Sequence, residues 1–512
     1  MKTNYRKRLF YLLLVSALFK LVISGLIELG NDEVYYYTYA LQPDWNHFDH
    51  PGMVGWLIRF TSINLFWLND VSIRLGAIIG CTISTYFIFE TGKIISTEKT
   101  GWYAALIYNF SIYTGILAGL FILPDSPQMV FWTASLYFMC RIIFNSDNKN
   151  FWIWLLLGLM IGLATLSKVH GLYLWVGFGL FILIKKIKWL LNWRLYFSII
   201  VSATCALPIL YWNIQNHFIT YKFHSGRVMN HSIQFDSFIR ELLGEFAYQN
   251  PIIFILIIVS IIYLISNKNI FSSHTSIWLL CMSVPMILMF WGIALFNPTL
   301  PHWSGPAYIP LFFIAARYSE LETDKHRTPR LISYAGILLS SFLVIAVLLV
   351  RNAPFNFGSQ RYENFGEYCP TLDVSGWKSF SKSFATLEKY DVSNHVMNKN
   401  SPIIINKWFP GGHLEYYTAR KSGLNIIGIG SLEDLHKFAW LNKTGQKLKL
   451  GDDAYCIVPS NVPSKPNILY KDYFATIQQP VMIEQVRKNA VVRIFYVYRM
   501  KNCIKIPDPL LP

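Results

Sequence analysis

The sequence predicts a mainly α protein: a polytopic membrane helical bundle over residues 1–350, followed by a small α/β domain over residues 351–512. Three observations carry that reading. The 512 residues are 53% hydrophobic and only 14% charged, against about 25% charged in a typical soluble domain. Apolar runs of about 20 residues, the length a helix needs to cross a bilayer, recur up to Val350. Beyond Val350 those runs stop and short strand signals replace them.

Hydropathy gives about eleven spans, over residues 9–29, 71–89, 102–123, 129–144, 151–167, 172–184, 195–212, 252–266, 277–296, 303–316 and 331–350. The opening MKTNYRKRLFYLLLV looks like the basic start of a signal peptide. Its apolar run continues to Leu29 without a small-residue cleavage site, which reads as a retained anchor with a cytoplasmic N-terminus. Alternating the spans from there leaves 17 Lys and Arg in inner segments and 6 in outer ones, the asymmetry of the positive-inside rule. An odd span number then places the C-terminal domain outside the cytoplasm. In that domain PIIINKW, LNIIGIGS, AYCIVPS and VVRIFYVYRM read as strands and HLEYYTARK as a short helix. Cys369, Cys456 and Cys503 lie on the oxidising side and can form one disulfide. The other four cysteines sit in apolar runs and read as packing residues.

The outer segments hold the unusual polar motifs, whereas the inner loops are ordinary basic connectors. The first outer stretch, Asn31 to Phe60, carries Asp32 and Glu33 and then Trp45, His47, Asp49, His50 and Pro51. Acids beside a bilayer are costly and need a reason to be there. Its second half, GMVGWLIRFTSINLFWL, is too polar to span and suits a helix lying in the interface. LPDSP brings Asp125, LSKVHG brings Lys168, and NPTLPHW brings His302. The segment 213–250 mixes Lys222, His224 and Arg227 with aromatics and reads as a surface-lying segment or lid.

Such a set suits group transfer from a membrane-held phosphate donor. A carboxylate must take a proton from an acceptor hydroxyl, and cations or donors must hold the leaving phosphate. Asp32 is the favoured base, with Glu33 as its orienting neighbour, because adjacent residues on a helix point about 100° apart. Asp49 is a second carboxylate in the same loop. Lys168, His50, Arg227 and His302 are the candidate phosphate ligands, and Asp125 is a further site residue. Each has a plainer role beside it: snorkelling for Lys168, turn chemistry for Asp125, the aromatic belt for the His302 segment. No cofactor is required; Asp49 and His50 can hold a divalent metal, but two side chains do not make a site. The +16 net charge does not point to nucleic acid, because the basic residues of the membrane half sit in short loops. No P-loop, G-x-G-x-x-G, H-E-x-x-H or G-x-S-x-G is present.

NDEVYYYTYAL, WNHFDHPGMVGWLIR, LPDSPQMVFWTASLYF, GLATLSKVHGLYLW, PILYWNIQNHFITYKFHSGR and PHWSGPAY follow one another in an order that resembles bacterial GT-C glycosyltransferases. The resemblance is to the superfamily of the lipid A aminoarabinose transferases and dolichyl-phosphate-mannose-protein mannosyltransferases. It implies a polyprenyl-phosphate sugar donor, an acceptor in lipid A, a glycan or a protein, and no nucleotide. It further implies Asp32 as the catalytic acid, Asp49 as the second loop acid and Lys168 near the donor phosphate. The aminoarabinose branch commonly has lysine directly after the second acid, where this chain has His50. A transporter or flippase of lipid-linked sugars is the alternative; against it, charges inside spans are few (Lys20 and Glu28) and no inverted repeat is visible.

Overall fold

The structure, a computed structural model, describes residues 4–145, 147–226, 232–266, 270–322 and 327–511. The chain forms two compact units, Met1–Val22 with Asp44–Phe342 and Ile23–Pro43 with Leu343–Pro512. The first is helical and the second contains the sheet. The polar stretch that follows the first apolar run is therefore divided between them at Pro43 and Asp44. A boundary drawn from hydropathy at Val350 does not anticipate that division.

The longer helices are α1 (Tyr5–Leu26), α2 (Asn31–Leu41), α3 (Met53–Thr61), α4 (Asp70–Ile95), α5 (Glu98–Phe110), α6 (Asp125–Phe144), α7 (Phe151–Ser167), α8 (Tyr173–Lys185), α9 (Trp193–Gln215), α10 (Ile219–Gly226), α11 (Phe235–Tyr248), α12 (Pro251–Ser266), α13 (Ser273–Cys281), α14 (Val284–Ala294), α15 (Ile309–Leu321), α16 (Arg327–Asn352) and α17 (Trp377–Ser393). Among the described residues five helices are long and apolar enough to cross a membrane: α1, α4, α9, Ser273–Ala294 and Arg330–Asn352. The α11–α12 pair, bent by 101°, makes a sixth if it counts as one broken span. Several of the expected eleven spans are shorter helices, such as α5 and α15 with 13 residues each. Hydropathy responds to burial in protein as well as in lipid: Phe312 and Phe313 of α15 are fully buried inside the bundle.

The long helices differ in what they face. The apolar window of α4 is 61% buried, but those of α1 and α9 are only 22% and 28% buried. Leu14 and Leu18 of α1 and Ile200 and Leu207 of α9 are exposed, as expected for side chains in contact with lipid. These helices and their apolar exteriors make the chain a multi-pass membrane protein. Inside the bundle, α7 and α9 meet through small residues. A Cβ on Gly158 would lie 2.5 Å from Ser198 O, and one on Gly162 would lie 2.6 Å from Cys205 Cβ. Ser198 Oγ donates to Trp154 O at 2.5 Å and Ser202 Oγ to Gly158 O at 2.7 Å. G-L-M-I-G on α7 is thus a close-packing face of the kind that joins membrane helices.

The second unit is a six-stranded mixed sheet of β1 (Ile403–Ile405), β2 (Ile426–Gly428), β3 (Ala454–Pro459), β4 (Phe474–Ile477), β5 (Val481–Arg487) and β6 (Ala490–Cys503). Its order is β2-β1-β3-β6-β4, with β5 also pairing with β6. β1 runs parallel to β2 and β3, and β6 is antiparallel to its partners. The four strands expected from sequence are present as β1, β2, β3 and β6. β4 and β5 were not expected: they flank QQP and carry exposed residues, so neither gives a continuous apolar run. Lys488 and Asn489, both with positive φ, close the β5–β6 hairpin in the manner of a type I′ turn. All seven cysteines are free thiols, so Cys369, Cys456 and Cys503 form no disulfide here.

Candidate active site

The helical unit contains a cavity of about 550 Å³ whose polar end is built by the loop between Asp44 and Gly52. That loop is pinned from outside. Trp212 Nε1 of α9 donates to Asp44 Oδ2 at 2.8 Å. Thr220 Oγ1 of α10 donates to His47 O at 3.0 Å, and His224 Nε2 donates to Asp49 O at 2.8 Å. Within the loop, His47 N donates to His50 O at 3.0 Å and Gly52 N to Trp45 O at 3.1 Å. A Cβ at position 52 would lie 1.9 Å from Asp44 O, so the closure requires glycine.

Lys168 follows the C-terminus of α7 in an extended conformation. The next turn is compact because Gly171 packs on Thr165, where a Cβ would come within 2.4 Å of the backbone nitrogen. Lys168 Nζ donates to both Asp125 oxygens, at 3.0 and 2.9 Å. Tyr113 OH donates to Asp125 Oδ1 at 2.8 Å, and Gln128 Nε2 to Lys168 O at 3.1 Å. The lysine and aspartate side chains are only 4% and 3% exposed. Lys168 is therefore no snorkelling lysine, and Asp125 is an ion-pair partner rather than a turn residue. Tyr113 comes from a single π-helical turn, Tyr113–Leu117, a distortion often found at functional sites.

Asn46, Asp49, His50, Lys168, His170 and His224 line the polar end of the cavity, and Ile209, Phe290, Ile293 and Trp303 give it apolar walls. Burial pushes the His50 imidazole down to about 4, against the partial opposition of Asp49, and the Lys168 charge adds to the drop. His302 is also pushed down to about 4, again chiefly by burial. Both rings are neutral near pH 7, so they offer one N–H and one lone pair rather than a charge. His302 is not among the lining residues; it precedes the lining Trp303 and packs its ring 6.1 Å from that of Tyr248. The His170 ring sits 5.3 Å from Phe290, and its buried Nδ1 has no hydrogen-bond partner among the described residues. Arg227 lies outside the described residues.

Asp32 and Glu33 belong to the sheet unit. Both sit in the first turn of α2, where Glu33 Oε2 accepts from Gly30 N at 2.8 Å and caps the helix, while Asp32 is exposed. Glu33 is thus engaged in capping α2. The chain entering α2 is held firmly: Leu29 N donates to Tyr417 OH at 2.6 Å and His413 Nε2 is 3.0 Å from Leu29 O. A Cβ on Gly412 would lie 3.2 Å from Tyr35 N, which shows how closely α2 packs on the Trp408–His413 helix.

Sequence reasoning missed the partners that bind these groups in place. His170 and His224 were legible only as nearby polar residues. Two carboxylates of α11 were not seen at all. Glu245 accepts from Trp291 Nε1 at 2.8 Å, Tyr308 OH at 2.9 Å and Ser304 Oγ at 2.5 Å, and Glu241 accepts from Thr299 Oγ1 at 2.7 Å. They anchor the loop that contains His302. Their signal was weak but present: acids four apart on a helix whose other face is apolar.

Comparison with solved structures decides the fold. ArnT from Cupriavidus metallidurans in the apo state superposes with a TM-score of 0.57 at 12% identity, covering 96% of this chain and 98% of that one. The same enzyme bound to undecaprenyl phosphate gives 0.58 at 14% identity over 95% and 97%. The chain therefore has the fold of ArnT. Residues 49–212 match the family model for dolichyl-phosphate-mannose-protein mannosyltransferases. That segment includes Asp49, His50, Lys168 and His170, four of the six residues at the cavity's polar end, together with Asp125. The lipid A galacturonosyltransferase RgtD of Rhizobium johnstonii is 22% identical over 287 residues, 54% of this chain. The match spans 58% of the length of RgtD.

Proposed function

We propose that the chain is an integral-membrane glycosyltransferase that moves a sugar from a polyprenyl-phosphate donor to a hydroxyl or phosphate acceptor on a lipid, a glycan or a protein. The observation that carries this reading is the division of one cavity into apolar walls and a polar end of imidazoles and Lys168. An amphiphile with a hydrocarbon chain and a phosphate head matches that division. The match to the mannosyltransferase family over residues 49–212 supports it, as does the likeness to an ArnT structure that holds undecaprenyl phosphate.

In this scheme His50 and His170 donate hydrogen bonds to the phosphate, His224 holds the loop through Asp49 O, and Lys168 supplies a positive field that Asp125 partly offsets. Arg227 and His302 are the further phosphate ligands expected from the sequence. A carboxylate of the first outer stretch takes the proton from the acceptor hydroxyl. Asp32 holds that role by its resemblance to the catalytic acid of the superfamily, with Asp49 as the second loop acid. The acceptor oxygen attacks the anomeric carbon in line, the bond from that carbon to the phosphate oxygen breaks, and polyprenyl phosphate leaves with inversion at the sugar. The scheme runs without a metal ion. The Lys and Arg distribution supports an outward-facing cavity loop and an outward-facing sheet domain in a bacterial inner membrane.

Purified protein in vesicles containing radiolabelled polyprenyl-phosphate sugar tests the proposal. Label in an added acceptor, with chelator present, is the expected result. Movement of labelled lipid between leaflets without product supports the flippase instead.

A further inference from the structure

The sheet unit contains a second cavity, of about 460 Å³, where the ends of two membrane-length helices meet α17 and the tip of β5. Leu26 and Glu28 come from the segment leaving α1, Val350 and Arg351 from the last turns of α16, and Lys378 and Lys382 from the first turns of α17. All belong to the same unit. Because α1 and α16 end here, this cavity lies at the membrane surface, whichever way the chain is oriented.

Its charge is one-sided. Arg351, Lys378, Lys382 and Arg487 line it, against the single carboxylate of Glu28. That carboxylate is already engaged: Oε2 accepts from Trp377 N at 2.7 Å and Oε1 from Lys378 N at 3.1 Å, so it caps α17. Arg487 forms the floor, 6% exposed, and donates from Nη1 to Thr371 Oγ1 and from Nη2 to Thr371 O, both at 3.1 Å. Arg351 and Lys382 are exposed, and among the described residues their side chains make no hydrogen bond or ion pair. The region as a whole is basic, with 21 Lys and Arg against 13 Asp and Glu over residues 351–512.

We infer that this cavity binds the phosphate-bearing headgroup of an anionic membrane lipid. Two unpaired cations and a third on α17 converge over a buried arginine at headgroup depth. Each cation near an anionic surface adds favourable binding energy, and phosphate oxygens satisfy lysine and guanidinium donors together. The site does not depend on the glycosyltransferase reading, since it uses only the membrane-length helices and the charges at their ends.

The test uses delipidated full-length protein in neutral detergent, titrated separately with phosphatidylglycerol, phosphatidylcholine and inorganic phosphate, with bound lipid counted by native mass spectrometry and thermal stability followed in parallel. Phosphatidylglycerol should bind and stabilise, phosphatidylcholine and inorganic phosphate should not. The triple variant Arg351→Gln, Lys378→Gln, Lys382→Gln should bind phosphatidylglycerol at least about tenfold more weakly. Its charge-retaining counterpart, Arg351→Lys, Lys378→Arg, Lys382→Arg, should restore binding, which separates lost charge from lost folding. Equal binding of both lipids, or an unchanged affinity in the triple Gln variant, overturns the inference. Stabilisation by inorganic phosphate to the same extent as by the lipid overturns the lipid as ligand.

Discussion

Two short segments of the first outer stretch, less than twenty residues apart, are anchored in different ways. Asp32 and Glu33 ride on α2, which is clamped by His413, Tyr417 and the Trp408–His413 helix of the sheet unit. Asp49 and His50 sit in a loop held by Trp212, Thr220 and His224 of the helical unit. Neighbours in sequence thus take their positions from different parts of the fold. Asp32 and the polar end of the cavity are therefore separable. Damage to one should leave the other formed, and kinetic parameters should divide accordingly.

The sharpest way to break that comparison is at Asp32. Asp32→Asn keeps the size of the side chain but cannot accept a proton, and should cut single-turnover transfer by about 10²–10⁴-fold with donor saturating. Asp49→Asn, made beside it, should act on donor use because Asp49 lines the cavity. If Asp49→Asn abolishes single turnover while Asp32→Asn turns over normally, the roles are exchanged.

The next largest effect is on stability. Lys168→Ala leaves the buried Asp125 without its cation, and such a loss costs about 3–5 kcal/mol. The double variant Lys168→Ala, Asp125→Ala should be more stable than Lys168→Ala alone. Additive losses in detergent unfolding curves would show that the pair is not coupled.

The buried imidazoles predict a pH dependence. His50 and His302 are held near 4, against 6.5 in an unfolded chain. The unfolded state therefore binds more protons between those values, so stability is full above about pH 6.5 and falls as pH drops toward 4. The double variant His50→Gln, His302→Gln should flatten unfolding curves in that window.

Much of this architecture was legible in advance. The apolar runs located most of the helices, β-branched runs such as PIIIN and VVRIFYVY located four strands, and the FDHP loop proved to be the polar end of the cavity. What could not be read was pairing across the chain. Lys168 and Asp125 are 43 residues apart, and neither motif names the other. His224 reaches the Asp49 carbonyl across 175 residues. Several of the apolar runs are shorter helices, such as α5 and α15, and residues such as Phe312 and Phe313 of α15 are apolar where they are buried in protein. The split of one polar stretch between two units was hidden for a similar reason: hydropathy registers where the chain leaves lipid, not what it then packs against.

The smallest effect expected is at Glu33. Glu33→Gln can still accept from Gly30 N, so thermal stability should fall by no more than about 1 kcal/mol and turnover should stay close to wild type. A loss as large as that of Asp32→Asn would make Glu33 the base.

The account rests on the cavity of the helical unit holding the donor phosphate independently of the acid on α2. Equilibrium binding of polyprenyl phosphate to purified His170→Gln and Asp32→Asn tests it most directly. His170 has a buried Nδ1 without a partner among the described residues and it lines the cavity, so losing its hydrogen bond to a charged phosphate should weaken binding by at least about tenfold. Asp32→Asn should bind as wild type does. Wild-type affinity in His170→Gln together with a large loss in Asp32→Asn would contradict the account.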